Sequence, residues 1–281
     1  MLLVRETIEQ LTSAFAQDGF VMLRSVLSGE DIAALHADID SLMAERGHPS
    51  ALSSFGAAMT YPNVLKLAEH ERVLPVAVNL LGYNLQLHLS SLNVKRPVGR
   101  ADGSSFQGGK IQIGSNSSSL NWHRDGPSPQ FPFVQDVSVK VCFILSDLTE
   151  PDRGNTKVLP GSHRDRAFRP PHGDASRPLP GEVQICGAPG DVLIFAQNLW
   201  HGASYNLSSV ERRLAFIGYS ACWVRPVDYE TAPPKLLEGA SPYLRQLLGN
   251  VGPTSFHHYM PENMPLKDLW LGEEPVDCYA H

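Results

Sequence analysis

The sequence predicts a mainly β protein with flanking helices, a sandwich or jelly roll with helical additions. Three observations carry that expectation. Period-two or wholly apolar runs recur between residues 84 and 223, loops rich in Gly, Ser and Pro separate them, and helical spacing is confined to the first eighty residues and one short segment near the end. A chain of 281 residues is long for one ordinary domain and short for two. All-β folds of this size are routinely single domains, so one core is expected. Its parts are a helical N-terminal region of about 1–83, a β core of about 84–224 and a C-terminal extension of about 225–281.

"TIEQLTSAFAQDG" (7–19) has helical spacing and stops at Gly19, and "FVMLRSVL" (20–27) reads as a short strand. Ser28 with Asp31 three residues on is a capping-box signature. Behind it Ile32, Leu35, Ile39, Leu42 and Met43 share one helical face that ends near Gly47. A further helix is expected over roughly 70–81, closed by Gly82, with Pro75 in its first turn. "NLQLHLSSLNVKRP" alternates through Leu85, Leu87 and Leu89, then changes parity to Leu92 and Val94. A bulge or bend near Ser90-Ser91 would produce that change. "VSVKVCFILSD" (137–147), two strands around the Ala-Pro-Gly-Asp turn of "EVQICGAPGDVLIFA" (182–196), and "RRLAFIGYSACW" (212–223) complete the strand set. "SPYLRQLLG" (241–249) is a last helix, capped by Ser241 with Pro242 at its first position.

Composition narrows the function classes. Net charge is −6, and Lys and Arg are scattered, which argues against nucleic acid or an anionic membrane as partner. No apolar run reaches transmembrane length, "MLLVRETIEQ" lacks a signal peptide's apolar core, and "YAH" is not a peroxisomal address. Cys142, Cys186, Cys222 and Cys278 show no close pairing, as expected of buried free thiols in a reducing cytoplasm. Phosphate-binding Gly loops and a Gly-x-Ser-x-Gly elbow are absent.

The chemistry centres on "LNWHRDGP" (120–127). In a strand, residues i and i+2 share a face, so His123 and Asp125 would aim at one point. An imidazole and a carboxylate suit Fe(II), Mn(II) or Zn(II), although an H-x-D triplet also arises by chance. Downstream, "PGDVLIFAQNLWHGASYN" carries His201, 78 residues after His123, just past a hydrophobic strand. Two histidines and one carboxylate on one side of a metal leave positions open for substrates, the arrangement of non-haem Fe(II) working with a chelating 2-oxo acid. Such a co-substrate needs a cation for its far carboxylate. Arg212, eleven residues after His201, offers a planar fork, while Arg213 would face the other side of the strand.

These blocks together resemble the phytanoyl-CoA dioxygenase family of Fe(II)/2-oxoglutarate-dependent oxygenases. "FAQDGFVMLRSVLS" looks like the family's opening and "WHRDG" like its metal motif. "CFILSDLTEPDRGNTKVLPGSH" resembles the segment that follows, and "PGDVLIFAQNLWHGASYN" with "RRLAF" resembles the distal histidine and co-substrate arginine. The matching blocks span about residues 14–220. The resemblance implies a double-stranded β-helix (jelly-roll, cupin-like) core, and iron ligands at His123, Asp125 and His201. It further implies a 2-oxoglutarate arginine at Arg212 (the intervening Asn206 fits too) and a helper lysine at Lys95. Fe(II), 2-oxoglutarate and molecular oxygen would convert a small organic metabolite, releasing succinate and carbon dioxide. Many members have glutamine where this chain has Arg124, whose side chain should point away from the metal. Asp125 argues against halogenation, since oxygenase-like halogenases carry a small residue there.

Other side chains have plainer readings. His163 in "LPGSHRD" is expected to brace a loop, and His257-His258 to form a surface pair. Trp122 and Trp200 are expected to pack beside the metal histidines. Gln112, Asn121 and Gln197 are further candidates for lining the site, and loops 97–119, 164–181 and 225–265 for selectivity. Two rivals remain open: a non-catalytic metal-binding jelly roll acting as a sensor, and a zinc hydrolase on the same scaffold. The sequence does not specify oligomeric state.

Overall fold

A computed structural model describes residues 5–97, 121–125, 137–165, 167–175, 177–254, 257–258 and 260–272. Gln112, Cys278 and nearly all of loop 97–119 lie outside these residues. Helices and strands alternate at first: α1 (Arg5–Asp18), β1 (Phe20–Leu23), α2 (Gly29–Glu45), β2 (Ala51–Phe55), α3 (Ala57–Thr60), α4 (Pro62–Leu67) and α5 (Leu74–Leu81). Strands then dominate: β3 (Leu85–Lys95), β4 (Ser138–Ile144), β5 (Thr156–Val158), β6 (Val183–Gln184), β7 (Val192–Ala196), β8 (His201–Ala203) and β9 (Arg212–Ala221). Helices α6 (Pro234–Leu237) and α7 (Pro242–Leu247) follow.

Local chemistry sets the helix ends as expected. Ser28 accepts from the Asp31 backbone N–H and Asp31 reaches back, closing the capping box of α2. Leu35, Ile39, Leu42 and Met43 are its buried stripe. Ser241 caps α7 by accepting from the Leu244 backbone N–H at 2.9 Å. Helix α5 begins at Leu74, not at residue 70, because Pro75 fits only the first turn.

All described strand pairs are antiparallel. One sheet has six strands in the order β1-β7-β4-β9-β3-β2, and the other has three in the order β6-β5-β8. A reciprocal pair of backbone hydrogen bonds, His123 N–H to His201 O at 2.9 Å and His201 N–H to His123 O at 3.0 Å, lays residues 121–123 alongside β8.

The long strand β3 decides which side chains face the second sheet. Its register against β9 shifts between Leu87 and Leu89, so the bulge falls at His88 and not at Ser90-Ser91 as the alternation suggested. Leu85 and Leu87 before it, and Ser90, Leu92 and Val94 after it, then share the outer face, while Leu89, Ser91, Asn93 and Lys95 share the inner one. The apolar alternation misplaced the bulge because Leu89 is an inward-facing leucine, packed where Gly218 leaves room; a Cβ on Gly218 would stand 2.7 Å from its Cγ.

The outer face is covered by helices. Tyr219 donates to the Ala68 carbonyl at 2.8 Å, the Ala58 N–H donates to Ser90 Oγ at 2.9 Å, and Arg213 pairs with Asp40 of α2 at 2.7 Å. One apolar cluster runs from Phe15 through the sheet to Leu266. A smaller one, Trp122, Leu159, Ala175 and Leu179, lies beside the three-stranded sheet.

Candidate active site

His123 and Asp125 sit on an extended segment whose alternation separates their roles from those of their neighbours. Trp122 points into the smaller apolar cluster, and Arg124 turns the other way from the cavity. The Arg124 guanidinium donates to the Ser162 and Asp165 carbonyls at 2.7 and 2.8 Å and lies 4.9 Å from the centre of the Trp200 ring. The residue between the two motif positions therefore fastens the 162–165 turn and Trp200 to the segment. The Asp125 N–H donates to the Gln197 carbonyl at 2.8 Å, which holds the segment against the turn before β8.

His201 opens β8. His123, Asp125 and His201 converge, each offering one ligand atom within 4.8 Å of the others. The backbone fixes both tautomers: His123 Nδ1 lies 2.8 Å from the Asn121 carbonyl and His201 Nδ1 lies 2.9 Å from the Leu199 carbonyl. A carbonyl only accepts, so each Nδ1 carries the proton and each Nε2 presents its lone pair. Those Nε2 atoms stand 3.6 and 3.4 Å from the two Asp125 oxygens. Burial, reinforced by His201, pulls the His123 imidazole down to about 4, so it is neutral at pH 7 as a metal ligand must be. Burial works against ionisation of Asp125, but His201 and the Lys140 ammonium outweigh it and hold its carboxyl below the ordinary range. Two imidazoles and an ionised carboxylate fit Fe(II).

Lys140 was not foreseen. It comes from the inner face of β4 and donates to Asp125 Oδ2 at 2.6 Å. Its signal in the sequence was a lone charge inside "VSVKVCFI", a strand otherwise made of buried residues. Phe195 of β7 packs its ring edge-on against His201, 4.8 Å between centroids. With Phe216 it lines a cavity of about 440 Å³ between the two sheets, which the three converging side chains, Lys140 and Arg212 also line.

Arg212 lies at the far end of that cavity, paired in register with Lys95. Arg212 is 5% exposed, and burial lowers it to about 10. Burial, and then Arg212 itself, brings Lys95 down to about 7. Among the described residues, neither Lys95 Nζ nor Arg212 Nε has a hydrogen-bond partner, and neither side chain has a counter-charge. Two adjacent buried cations in that position are expensive to fold around and fit the far carboxylate of a dicarboxylic acid. Asn206 ties this end together by donating to the Lys95 and Val210 carbonyls at 3.1 and 2.8 Å. Gly154, at φ +78°, lies so close that a Cβ there would be 2.8 Å from Arg212 Cδ. Gly154→Ala should cost about 1–3 kcal/mol through overpacking. It should also weaken 2-oxoglutarate binding while sparing metal binding, as calorimetry of each ligand will show.

The remaining candidates separate cleanly. Asn121 lines the cavity. Gln197 is buried and meets the segment through its backbone carbonyl. His163 donates from Nε2 to the Ala16 carbonyl at 3.2 Å, bracing its loop against α1. Arg213 faces the helices, and His257 and His258 do not line the cavity.

The phytanoyl-CoA dioxygenase family profile matches residues 15–214. The chain belongs to that family. It is a non-haem Fe(II)/2-oxoglutarate-dependent dioxygenase, carrying the family's His-x-Asp…His group. An ectoine dioxygenase of Sphingopyxis alaskensis is 26% identical over 243 residues, covering 74% of each chain. HygX of Streptomyces hygroscopicus, solved with nickel and 2-oxoglutarate, superposes with a TM-score of 0.59 at 22% identity, covering 83% of this chain and 93% of that one. The epimerase SnoN, solved with Fe3+ and alpha-ketoglutarate, gives 0.58 at 20% identity over 78% and 85%. The two-sheet core is thus the double-stranded β-helix of the family. No described helix is long and apolar enough to cross a membrane.

Proposed function

We propose that residues 1–281 form one oxygenase domain that hydroxylates a small organic metabolite in the cytoplasm, with His123, Asp125 and His201 as iron ligands. Arg212, helped by Lys95, would hold the far carboxylate of 2-oxoglutarate. The observation that carries the reading is a three-ligand group and the buried Arg212, with Lys95 paired beside it, lining one cavity. Iron and 2-oxoglutarate, when bound, supply the oxidising power: dioxygen and the 2-oxo acid are consumed, one oxygen atom enters the substrate, and succinate and carbon dioxide leave.

The chain's own residues prepare that chemistry. Asn121 and Leu199 fix the imidazoles through their Nδ1 protons, which leaves both Nε2 atoms ready without a rotamer search. Lys140 orients the carboxylate of Asp125. Phe195 and Phe216 supply apolar walls that keep water from the reacting centre. Arg212 aligns the co-substrate along the inner face of β9, with its planar fork matching a carboxylate. The relatives include an ectoine dioxygenase and a probable hypophosphite dioxygenase of Stutzerimonas stutzeri, both small-molecule names, and they support a small metabolite as substrate.

Adding Fe(II) and 2-oxoglutarate under nitrogen should give a visible absorption band that disappears when oxygen enters, as succinate accumulates. Metal binding with no 2-oxoglutarate consumption would favour the sensor, and turnover under nitrogen without 2-oxoglutarate would favour the hydrolase. Lys95 adds a pH signature. Its ordinary value is 10.5 and its folded value is about 7. Between these the unfolded chain binds the extra proton, so stability without co-substrate rises with pH across that window. Saturating 2-oxoglutarate should flatten the rise by giving the ammonium a counter-charge. Thermal melts from pH 7 to 9, with and without 2-oxoglutarate, check both halves.

A further inference from the structure

We propose that Lys140 is the recognition point for a carboxylate on the primary substrate. The inference rests on the oxygenase reading above and deepens it by naming a substrate class.

Lys140 lines the cavity, its side chain is 18% exposed, and its ammonium sits 5.4 Å from the centre of the Phe216 ring. An ammonium has three donors, and Asp125 Oδ2, at 2.6 Å, takes one. Asp125 balances Lys140 only while the metal group is empty. Once a dication shares that carboxylate, the ammonium faces positive charge with its counter-ion divided, and it calls for another anion in the cavity.

A carboxylate could reach Lys140 from the near end of 2-oxoglutarate or from the substrate. Lys140 stands 2.6 Å from Asp125, the proposed ligand beside which the near end of 2-oxoglutarate would also lie, so ligand affinities and not position along the strand separate the two sources.

Phe55, 64% exposed on the cavity rim, offers an apolar surface for the rest of such a substrate.

The test uses the full chain loaded with Mn(II) and 2-oxoglutarate under nitrogen, so that no turnover occurs. Calorimetry then compares a panel of small aromatic and aliphatic monocarboxylic acids with their primary amides. The wild type should bind at least one acid about tenfold or more tighter than its amide, the size of a charge-assisted hydrogen bond. Compared at saturating Mn(II) and 2-oxoglutarate, Lys140→Gln should abolish that preference and Lys140→Arg should keep it. Equal affinity for acids and amides in the wild type, or no binding of either, overturns the inference. So does a Lys140→Gln protein that keeps the acid preference, or one that loses 2-oxoglutarate affinity instead, which would assign the carboxylate to the co-substrate. Failure of Mn(II) or 2-oxoglutarate to bind the wild type would overturn the oxygenase assignment of the site itself.

Discussion

Asp125→Ala should abolish succinate formation and weaken metal binding by well over about 100-fold, beyond what the loss of a mere supporting group costs. The same change strips Lys140 of its counter-charge. The pair is only partly exposed, 18% and 24% for the two side chains, so an unpaired ammonium left behind should cost about 1–3 kcal/mol of stability before any metal is added. Asp125→Asn separates the two effects. Its amide oxygen can still accept from Lys140, so most of the stability should return while metal binding stays poor. Metal titrations and thermal melts on both variants check this, and an Asp125→Ala protein that binds metal like the wild type would remove Asp125 from the ligand set.

Arg212→Met is expected to move stability and function in opposite directions. In the folded chain Arg212 and Lys95 are buried neighbours: burial lowers both, and Arg212 lowers Lys95 further. An apolar side chain of similar length relieves that cost, so the protein without ligands should melt at the same temperature or higher. Affinity for 2-oxoglutarate should fall by about 2–5 kcal/mol, the penalty for removing one member of a buried charged hydrogen bond. The stabilisation that 2-oxoglutarate gives the wild type, which grows as the logarithm of its concentration over its dissociation constant, should then vanish at millimolar ligand. Melting curves with and without 2-oxoglutarate give both signs in one experiment. A variant that is less stable and still stabilised by 2-oxoglutarate would make Arg212 a structural residue.

The sequence made some of this legible and hid the rest for physical reasons. His123 and Asp125 could be paired because strand geometry alone puts i and i+2 on one side. His201 and Arg212 could be added because each stands at the edge of a plain apolar run. Arg124 was correctly sent away from the metal by the same alternation, but its partners, the Ser162 and Asp165 carbonyls, lie about forty residues on and leave no local trace. Lys140 was overlooked for a related reason. Its partner Asp125 is fifteen residues back, across residues without helical or strand periodicity, so nothing adjacent marked the lysine as paired. Nothing in the sequence singles out Gly154, and only the packing of Arg212 against it shows that the missing side chain is what makes room for the arginine. Capping signals fared best, because Ser28 with Asp31 and Ser241 with Pro242 act within one helical turn.

His88 has one further consequence. It is a single extra residue in β3, and everything after it is read out of phase with everything before it. Deleting it would leave every other residue on its present face, because Leu87 and Leu89 already oppose the consecutive residues Tyr219 and Gly218. Ser91, Asn93 and Lys95 would still look into the reaction chamber, and what the strand would lose is its local kink. A relative without the bulge is therefore aligned correctly only with its gap opposite His88, and it can keep the same pocket with one residue fewer.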